Sequence, residues 1–323
     1  MKVDIIIPAF NAQKYLSSTI VSAIQQAVVR EIVVVDDGSS DDTFGIAKSF
    51  KPGVKAITGP NSGVSMARNR GIAESTGEWL IFLDADDQLL PGTVEKRLEA
   101  AAQNPLADVV VCGWQELIDT GGGTANGNVR AIDRAAMEED AEVATAAHVW
   151  APPAALMYRR ALVERIGGFR RDLPVIQDAR FLFDAAYHGA HFAFSDHVGT
   201  LYRIQPGSLS RRSPAQFWRD CLLNGAQIEA LWSQRGGMSA AQRQALAGIY
   251  NCAAQALFRL SEPAYRSALA ELRRSGLPTA WRTRSAEIGA NVLGLNLAAR
   301  LANSATWLRG SVRSLRPGPS SQS

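Results

Sequence analysis

Five short apolar runs rich in β-branched residues, at 3–8, 31–35, 54–58, 79–83 and 108–112, recur between stretches of helical spacing near 13–27, 41–50, 65–75 and 91–103. A run that stays apolar without alternating suits a strand covered on both faces, as in a parallel sheet. The order therefore constrains the chain to a doubly wound α/β arrangement with short links and right-handed crossovers. Helix-start chemistry agrees, with Ser40-Asp41-Asp42-Thr43 and Leu90-Pro91 opening the second and fourth helical stretches.

Beyond these elements the pattern changes. Residues 121–128 are rich in Gly and Asn and lead into the acidic Glu138, Glu139 and Asp140, a stretch that reads as a mobile loop. The segment 152–203 predicts a helix over 160–166, a Gly167-Gly168 stop, a helix over 178–188 and a strand ending at Tyr202. After Pro214 nearly everything has helical spacing, up to a Pro/Ser tail after Arg316 that reads as disordered. The expected organisation is a catalytic domain over 1–212, split at about 115 into a donor half and an acceptor half (116–212), and a helical extension over 213–323.

A length of 323 residues accommodates one large α/β domain plus such an appendage. The formal net charge of +3 is too small to imply nucleic-acid binding, although the stretch from Glu271 onward holds eight Arg against two acids. Cys112, Cys221 and Cys252 lack paired spacing, so buried free thiols are expected rather than disulfides or a zinc site. No apolar stretch reaches the length of a spanning helix, which points to a cytoplasmic protein, peripheral to a membrane at most.

Acid placement carries the chemistry. In open α/β sheets, ligands bind outside the carboxyl ends of the strands. The second strand runs into Asp36-Asp37-Gly38-Ser39 and the fourth into Asp84-Ala85-Asp86-Asp87, which crowds five carboxylates on one rim. Asp41, Asp42 and Asp87 read as turn and cap residues. Asp37, Asp84 and Asp86 read as functional, because two separate strands deliver them to the edge that the topology selects. A hard divalent cation, Mg²⁺ or Mn²⁺, is the natural compensation, and it completes its shell with phosphate oxygens. The glycine-rich phosphate loops of other nucleotide folds are missing, since the first strand runs into Ala9-Phe10-Asn11.

Four segments in this order, Ile5-Ile6-Ile7-Pro8-Ala9-Phe10-Asn11, Val33-Val34-Val35-Asp36-Asp37-Gly38-Ser39, Asn61-Ser62-Gly63-Val64-Ser65-Met66-Ala67-Arg68-Asn69 and Phe82-Leu83-Asp84-Ala85-Asp86-Asp87, resemble the family 2 inverting glycosyltransferases of GT-A fold. The likeness is dense over the first 115 residues or so and thinner as far as Arg211. It implies a mixed, mainly parallel sheet flanked by helices, a UDP-type sugar donor, and transfer to a hydroxyl of a glycan or lipid-linked acceptor in cell-surface polysaccharide synthesis. By the same resemblance, Pro8, Ala9, Phe10, Asn11 and Asp37 line the base and ribose pocket, and Arg68 approaches the nucleotide or diphosphate. Asp84, Ala85 and Asp86 form the D-x-D motif, with Asp84 near ribose and sugar and Asp86 on the metal.

Further along, Ile176-Gln177-Asp178 resembles the family's Glu-Asp segment, with Gln177 replacing the Glu and Asp178 retained as the implied general base. Capping of a helix start is the rival role for Asp178. Tyr202-Arg203-Ile204-Gln205 resembles a Tyr-Arg-x-His segment in which Gln205 stands in place of the His. Arg203, Ser208 and backbone amides are then expected to close the donor loop, because a neutral amide is a weaker metal ligand than imidazole. The Gln-x-x-Arg-Trp signature of the processive branch is absent, which implies transfer of single sugars.

Other features divide between two readings. Trp150 suits sugar stacking at the acceptor pocket and suits core packing equally. His188, His191 and His197 are close in sequence but lack further ligands for zinc. Ile288, Val292, Leu293, Leu295, Leu297, Leu301, Trp307 and Leu308, with Arg300, Arg309, Arg313 and Arg316, fit an interfacial helix on an anionic membrane face, or a stripe packed on the domain. Two competing functions remain at this level. A non-catalytic scaffold derived from a transferase is favoured only by Gln177 and Gln205, and a sugar-phosphate nucleotidyltransferase would leave Asp178 without a task.

Overall fold

A computed structural model describes residues 1–303 apart from Gly121 and Pro206. Trp307, Leu308, Arg309, Arg313, Arg316 and the Pro/Ser tail lie outside the described residues. The chain divides into two compact units, Met1–Arg212 and the residues from Ser213 onward.

The first unit is built on one sheet. Strands β1 (Val3–Ala9), β2 (Val29–Asp36), β3 (Lys55–Thr58) and β4 (Trp79–Phe82) pair in parallel in the order β3-β2-β1-β4. The sheet continues through β8 (Leu156–Arg159), β6 (Val109–Asp119), β9 (Phe192–Ile204) and the short β5 (Gln88–Leu89). Here β8 runs antiparallel to both its neighbours, and β6 and β9 are parallel to each other. The parallel part is the one that the apolar runs imply, and the mixed, helix-flanked whole is the sheet that the family resemblance implies.

Burial on both faces explains why those runs do not alternate. Ile5 and Ile7 of β1 join one core with Val34, Ile81 and Ile20, whereas Ile6 faces the other with Leu80, Phe82, Phe169 and Phe181. Asp4 interrupts the apolar run and is nonetheless fully buried. Its carboxylate accepts hydrogen bonds from Arg30 Nε at 2.9 Å, Arg30 Nη2 at 2.5 Å, and the backbone N–H groups of Thr76 at 2.9 Å and Gly77 at 2.6 Å. A buried carboxylate so fully partnered ties β1 to β2 and to the turn before β4.

Helices α1 (Leu16–Ile24), α2 (Thr43–Ser49), α3 (Val64–Glu74) and α4 (Thr93–Gln103) link the first strands. Their caps differ from the expected ones. Asp42, the residue before α2, makes no side-chain cap bond; Asp41 instead accepts from the Thr43 N–H at 3.0 Å and the Gln13 N–H at 3.2 Å. Gly92 in the left-handed region precedes α4, so Leu90-Pro91 lies in the turn before the helix.

Two loop expectations are corrected. Residues 121–128 do not form one loop, since Thr124–Arg130 is strand β7, paired antiparallel with the far half of β6 in a hairpin. The acidic stretch after it lies within helix α5 (Arg134–Ala147), opened by Asp133, whose side chain accepts from the Ala136 N–H, and kinked at Asp140. Helix α6 (Arg160–Ile166) ends at Gly167 in the left-handed conformation, and α7 (Gln177–Tyr187) follows. A short turn of helix, α8 (Leu209–Arg212), closes the unit.

The second unit is helical: α9 (Pro214–Gln234), α10 (Ala240–Arg259), α11 (Tyr265–Arg274) and α12 (Trp281–Leu293), with residues 295–303 helical as well. Trp232, Leu246, Tyr250, Leu257, Tyr265 and Leu272 are buried within it. Glu229 is buried there and accepts from the Tyr250 hydroxyl at 2.9 Å and from Arg274 at 2.8 Å. Cys112 is buried as expected, but Cys221 is only partly so and Cys252 is exposed, because α10 turns Cys252 away from its packed face.

His191 pairs with Asp108, while His197 lies between Thr93 Oγ1 at 2.9 Å and Ser195 Oγ at 3.0 Å, joining α4 to β9. Burial, with Arg97 and Lys96 nearby, lowers the His197 pKa to about 4. An unfolded histidine titrates near 6.5, so the unfolded chain binds the extra proton first. This contribution to stability is complete above pH ~6.5 and is lost as pH falls toward 4. Denaturant titrations from pH 7 to 4.5 should show a shallower loss of stability in His197→Gln than in the wild type.

Candidate active site

Register delivers the acids to one edge. Ala9 is opposite Asp36 in the β1–β2 ladder, Ile6 is opposite Phe82 in the β1–β4 ladder, and the Leu83 N–H donates to the Ile6 carbonyl at 2.9 Å. The chain therefore leaves β1, β2 and β4 side by side, and Pro8–Asn11, Asp37 and Asp84–Asp87 share one rim.

Pro8 and Ala9 are buried at the end of β1, and the next residue, Phe10, is 48% exposed. Asn11 adopts a left-handed φ of 49° and is fixed by its neighbours: its N–H donates to Ser39 Oγ and its Oδ1 accepts from the Ser40 N–H, each at 2.9 Å. Asp37 is buried. Its two oxygens accept the N–H groups of Ser62 and Gly63, both at 2.8 Å, so it shapes the loop before α3 and keeps one lone pair per oxygen for a ligand.

The D-x-D turn is tight, with the Asp87 N–H donating to the Asp84 carbonyl at 3.0 Å. Each of its carboxylates has a different partner. Asp84 Oδ1 meets Arg68 Nη2 at 2.5 Å, Asp86 Oδ2 accepts from Gln205 Nε2 at 2.6 Å, and Asp87 Oδ1 accepts the Arg203 N–H at 2.8 Å. Burial and then the charge of Asp84 push the Asp86 carboxyl up to about 6. Burial, with Asp86 and Asp84 beside it, holds Asp87 well above the usual carboxylate range. Ala85 is buried between them, its carbonyl accepting the Thr19 hydroxyl.

Arg203 is the strut of this turn. Its Nε donates to the Asp86 carbonyl at 2.9 Å, its Nη1 pairs with Asp119 at 2.7 Å, and its guanidinium stacks over the Tyr15 ring at 4.3 Å. Asp119 also accepts from the Tyr15 hydroxyl. Ser208 uses its carbonyl to start α8, accepting the Arg212 N–H at 2.9 Å, and its N–H donates to the Gln205 carbonyl at 3.3 Å.

Whether a divalent cation suits these residues depends on the donor set. Among the described residues, no group of three or more His, Cys, Asp or Glu side chains is arranged to hold an ion unaided. Asp84 and Asp86 are two oxygen donors with mutual repulsion still unrelieved, and that fits an ion which takes one or two carboxylates and completes its shell with phosphate and water.

Arg68 links this turn to the second cluster. It is 1% exposed, and its Nε and Nη1 have no hydrogen-bond partner. Its guanidinium lies 5.0 Å from the Phe169 ring centre, and its charge lowers the proton affinity of Asp178. Helix α3 can hold Arg68 there because Gly71 packs against Ile6 of β1, where a Cβ would come within 2.3 Å of a methyl. The same helix clamps the loop leading to Asp178. Asn69 accepts the Phe169 N–H at 2.7 Å and donates to the Phe169 carbonyl at 2.9 Å, and Ser65 donates to the Arg170 carbonyl at 2.6 Å.

Asp178 stands in the first turn of α7, where the helix dipole favours its anionic form. Oδ1 accepts the Ala179 N–H at 2.8 Å and Oδ2 the indole N–H of Trp150 at 3.0 Å. Burial nevertheless raises its pKa above the ordinary value. Gln177 is buried with its carbonyl oxygen unpartnered. Sequence reasoning missed Asn69 and Asp119. Asn69 sat in a motif read for its Arg, and Asp119 lies past the point where the β6 run was ended.

A mixed α/β sheet with a D-x-D turn at its carboxyl rim and a helical appendage is the architecture of GT-A glycosyltransferases. Residues 4–167 match the family model for glycosyl transferase family 2, just over half the chain, and the protein belongs to that family. EpsJ of Bacillus subtilis (strain 168), an uncharacterized glycosyltransferase, is 27% identical over 262 residues, 77% of this chain and 74% of the relative. YibD of Escherichia coli K12, also an uncharacterized glycosyltransferase, is 37% identical over 115 residues, 34% of this chain and only 33% of the relative's length. Two solved structures share the fold. S. aureus TarS 1–349 in complex with UDP-GlcNAc has a TM-score of 0.57 at 19% identity, covering 86% of this chain and 93% of that one. The mannosyltransferase PcManGT from Pyrobaculum calidifontis in complex with GDP-Man and Mn²⁺ has a TM-score of 0.54 at 20% identity, covering 93% and 86%.

The α3 clamp is testable without a substrate. Gly168 has a φ of +86°, and a Cβ there would lie 2.5 Å from Asn69 Oδ1. Gly168→Ala should cost about 1–3 kcal/mol in denaturant unfolding, more than Gly167→Ala, whose Cβ meets nothing within 4 Å.

Proposed function

We propose that the chain is an inverting, metal-assisted glycosyltransferase moving one sugar from a nucleoside-diphosphate sugar, UDP-linked in our reading, to a hydroxyl of a glycan or lipid-linked acceptor in cell-surface polysaccharide synthesis. The observation that carries this reading is Arg68, a buried cation with two unpartnered guanidinium nitrogens, lying between the D-x-D turn and the partly buried carboxylate of Asp178. A fixed positive charge behind the rim suits an anionic diphosphate. Known GT-A structures crystallised with UDP-GlcNAc, or with GDP-Man and Mn²⁺, support a donor of that class.

In this reading the exposed Phe10 ring offers a face to the base, and Asp37 accepts from its edge. Asp86 and Asp84 would hold a divalent cation, which would supply positive charge toward the departing diphosphate. Asp178 takes the proton of the acceptor hydroxyl as that oxygen attacks the anomeric carbon from the opposite face, which inverts it. The acid must be ionised to accept a proton, so the rate rises with pH through a limb above the ordinary carboxylate range, in the direction set by burial of Asp178.

A thermal-shift screen of UDP-glucose, UDP-galactose, UDP-GlcNAc and GDP-mannose, with and without Mn²⁺, should identify a stabilising donor. With it, Asp178→Asn should keep the thermal shift and lose ~10²- to 10⁴-fold in turnover. Asp86→Ala should lose the Mn²⁺-dependent part of the shift while Gln205→Ala keeps it. A full-rate Asp178→Asn enzyme would refute the assignment of the base.

Peripheral membrane contact completes the reading. Among the described residues no helix is long and apolar enough to cross a membrane. In the helical unit Ile288 is 64% and Val292 75% exposed, with Leu293, Leu297 and Leu301 about half exposed and Arg282 and Arg284 exposed nearby. That combination suits the anionic headgroup layer. Ile288→Glu/Val292→Glu should cut flotation with phosphatidylglycerol vesicles roughly tenfold or more, without altering the donor-induced thermal shift.

A further inference from the structure

We propose that Trp150 is a positioning residue that fixes the carboxylate of Asp178 through its indole N–H, a role that rests on Asp178 being the base. The two residues come from separate segments, one before the turn at 153–155 and the other in the first turn of α7, and meet at 3.0 Å between Nε1 and Oδ2. An indole has a single donor in a fixed direction, so the plane of the ring sets where that N–H points.

The plane is held from two strands. The Tyr202 ring of β9 meets Trp150 edge-on with centroids 5.5 Å apart and an interplanar angle of 70°, and the Trp114 ring of β6 does so at 6.2 Å and 83°. Edge-to-face pairs of this kind are directional. With the Ala179 N–H on Oδ1, both carboxylate oxygens are anchored, and each keeps one lone pair. The carboxyl group is thereby stopped from rotating about its last bond, and one defined lone pair is offered to the incoming hydroxyl. Trp150 itself is only half-buried, so water could satisfy its N–H if Asp178 did not.

The brace also connects the two clusters. Tyr202 is followed directly by Arg203, which holds the Asp86 carbonyl, and Gln205 on the same chain donates to Asp86. A displacement of β9 at the D-x-D turn is felt at the ring that orients the base.

Two measurements test this. In protein labelled with ¹⁵N-tryptophan, the indole N–H resonance missing from Trp150→Phe should titrate in the wild type with one proton, and Asp178→Asn should keep the resonance but abolish its titration. A pH-invariant resonance in the wild type would overturn the contact. The second measurement is hydrolysis of the donor chosen by thermal shift. Trp150→Phe, which keeps an aromatic ring and loses the N–H, should lower kcat ~10- to 100-fold with the donor KM within about twofold. Its acid limb should move to higher pH, because the ionised carboxylate loses a donor. An inactive Asp178→Asn beside a Trp150→Phe of wild-type kcat and pH profile would overturn positioning and leave the base standing. An active Asp178→Asn would remove the base, and positioning with it.

Discussion

Three carboxylates within four residues, at the end of a buried strand, are the constraint around which the first unit is arranged. Asp84, Asp86 and Asp87 repel one another in surroundings that solvate them poorly. The fold answers each separately, with a guanidinium on Asp84, an amide on Asp86 and a backbone N–H on Asp87. Only the first of these supplies a full charge. The charge of Arg203 lowers the proton affinity of Asp86 and Asp87, yet burial leaves both raised, so the repulsion within the turn is only partly offset.

That division of labour explains the placing of elements remote from the rim. Helix α3 must approach β1 closely to bring Arg68 under Asp84, which requires Gly71 against Ile6. Having done so, its next residue, Asn69, takes both backbone groups of Phe169. Strand β9 pairs with β6 over most of its length and ends beside the D-x-D turn, and its Arg203 is locked there by Asp119 and Tyr15. The Asp84–Asp87 turn and the surroundings of Asp178 are thus joined twice, once through α3 and once through β9. Neither connection is a single side chain. Each runs through an element packed on the sheet, α3 against β1 and β9 against β6.

Much of this was legible from residue order. Non-alternating Val/Ile runs gave the strands of the doubly covered sheet, and the rule about strand ends placed Asp37, Asp84 and Asp86 on one rim. What escaped had physical causes. The β7 strand holds Ala, Asn, Gly and Asn at its centre, residues poor in strand preference, and is held by pairing with the far half of β6. The acids 138–140 looked like a solvated loop, yet α5 packs Met137 and Ala144 inward and keeps those acids on its exposed side. Asp4 read as a break in an apolar run, because its partners Arg30, Thr76 and Gly77 are distant in sequence. Trp150 left stacking and packing equally open, since nothing in the sequence says which group an indole N–H will meet.

Gln177 and Gln205 stand where the family resemblance implies a Glu and a His, and both are neutral amides. At Asp86 the amide of Gln205 stabilises the carboxylate with a hydrogen bond but brings no charge. At Asp178 the neutral Gln177 adds nothing to the repulsion that Asp84 already exerts. Arg68 then acts on both sites at once, pairing with Asp84 and lowering the proton affinity of Asp178.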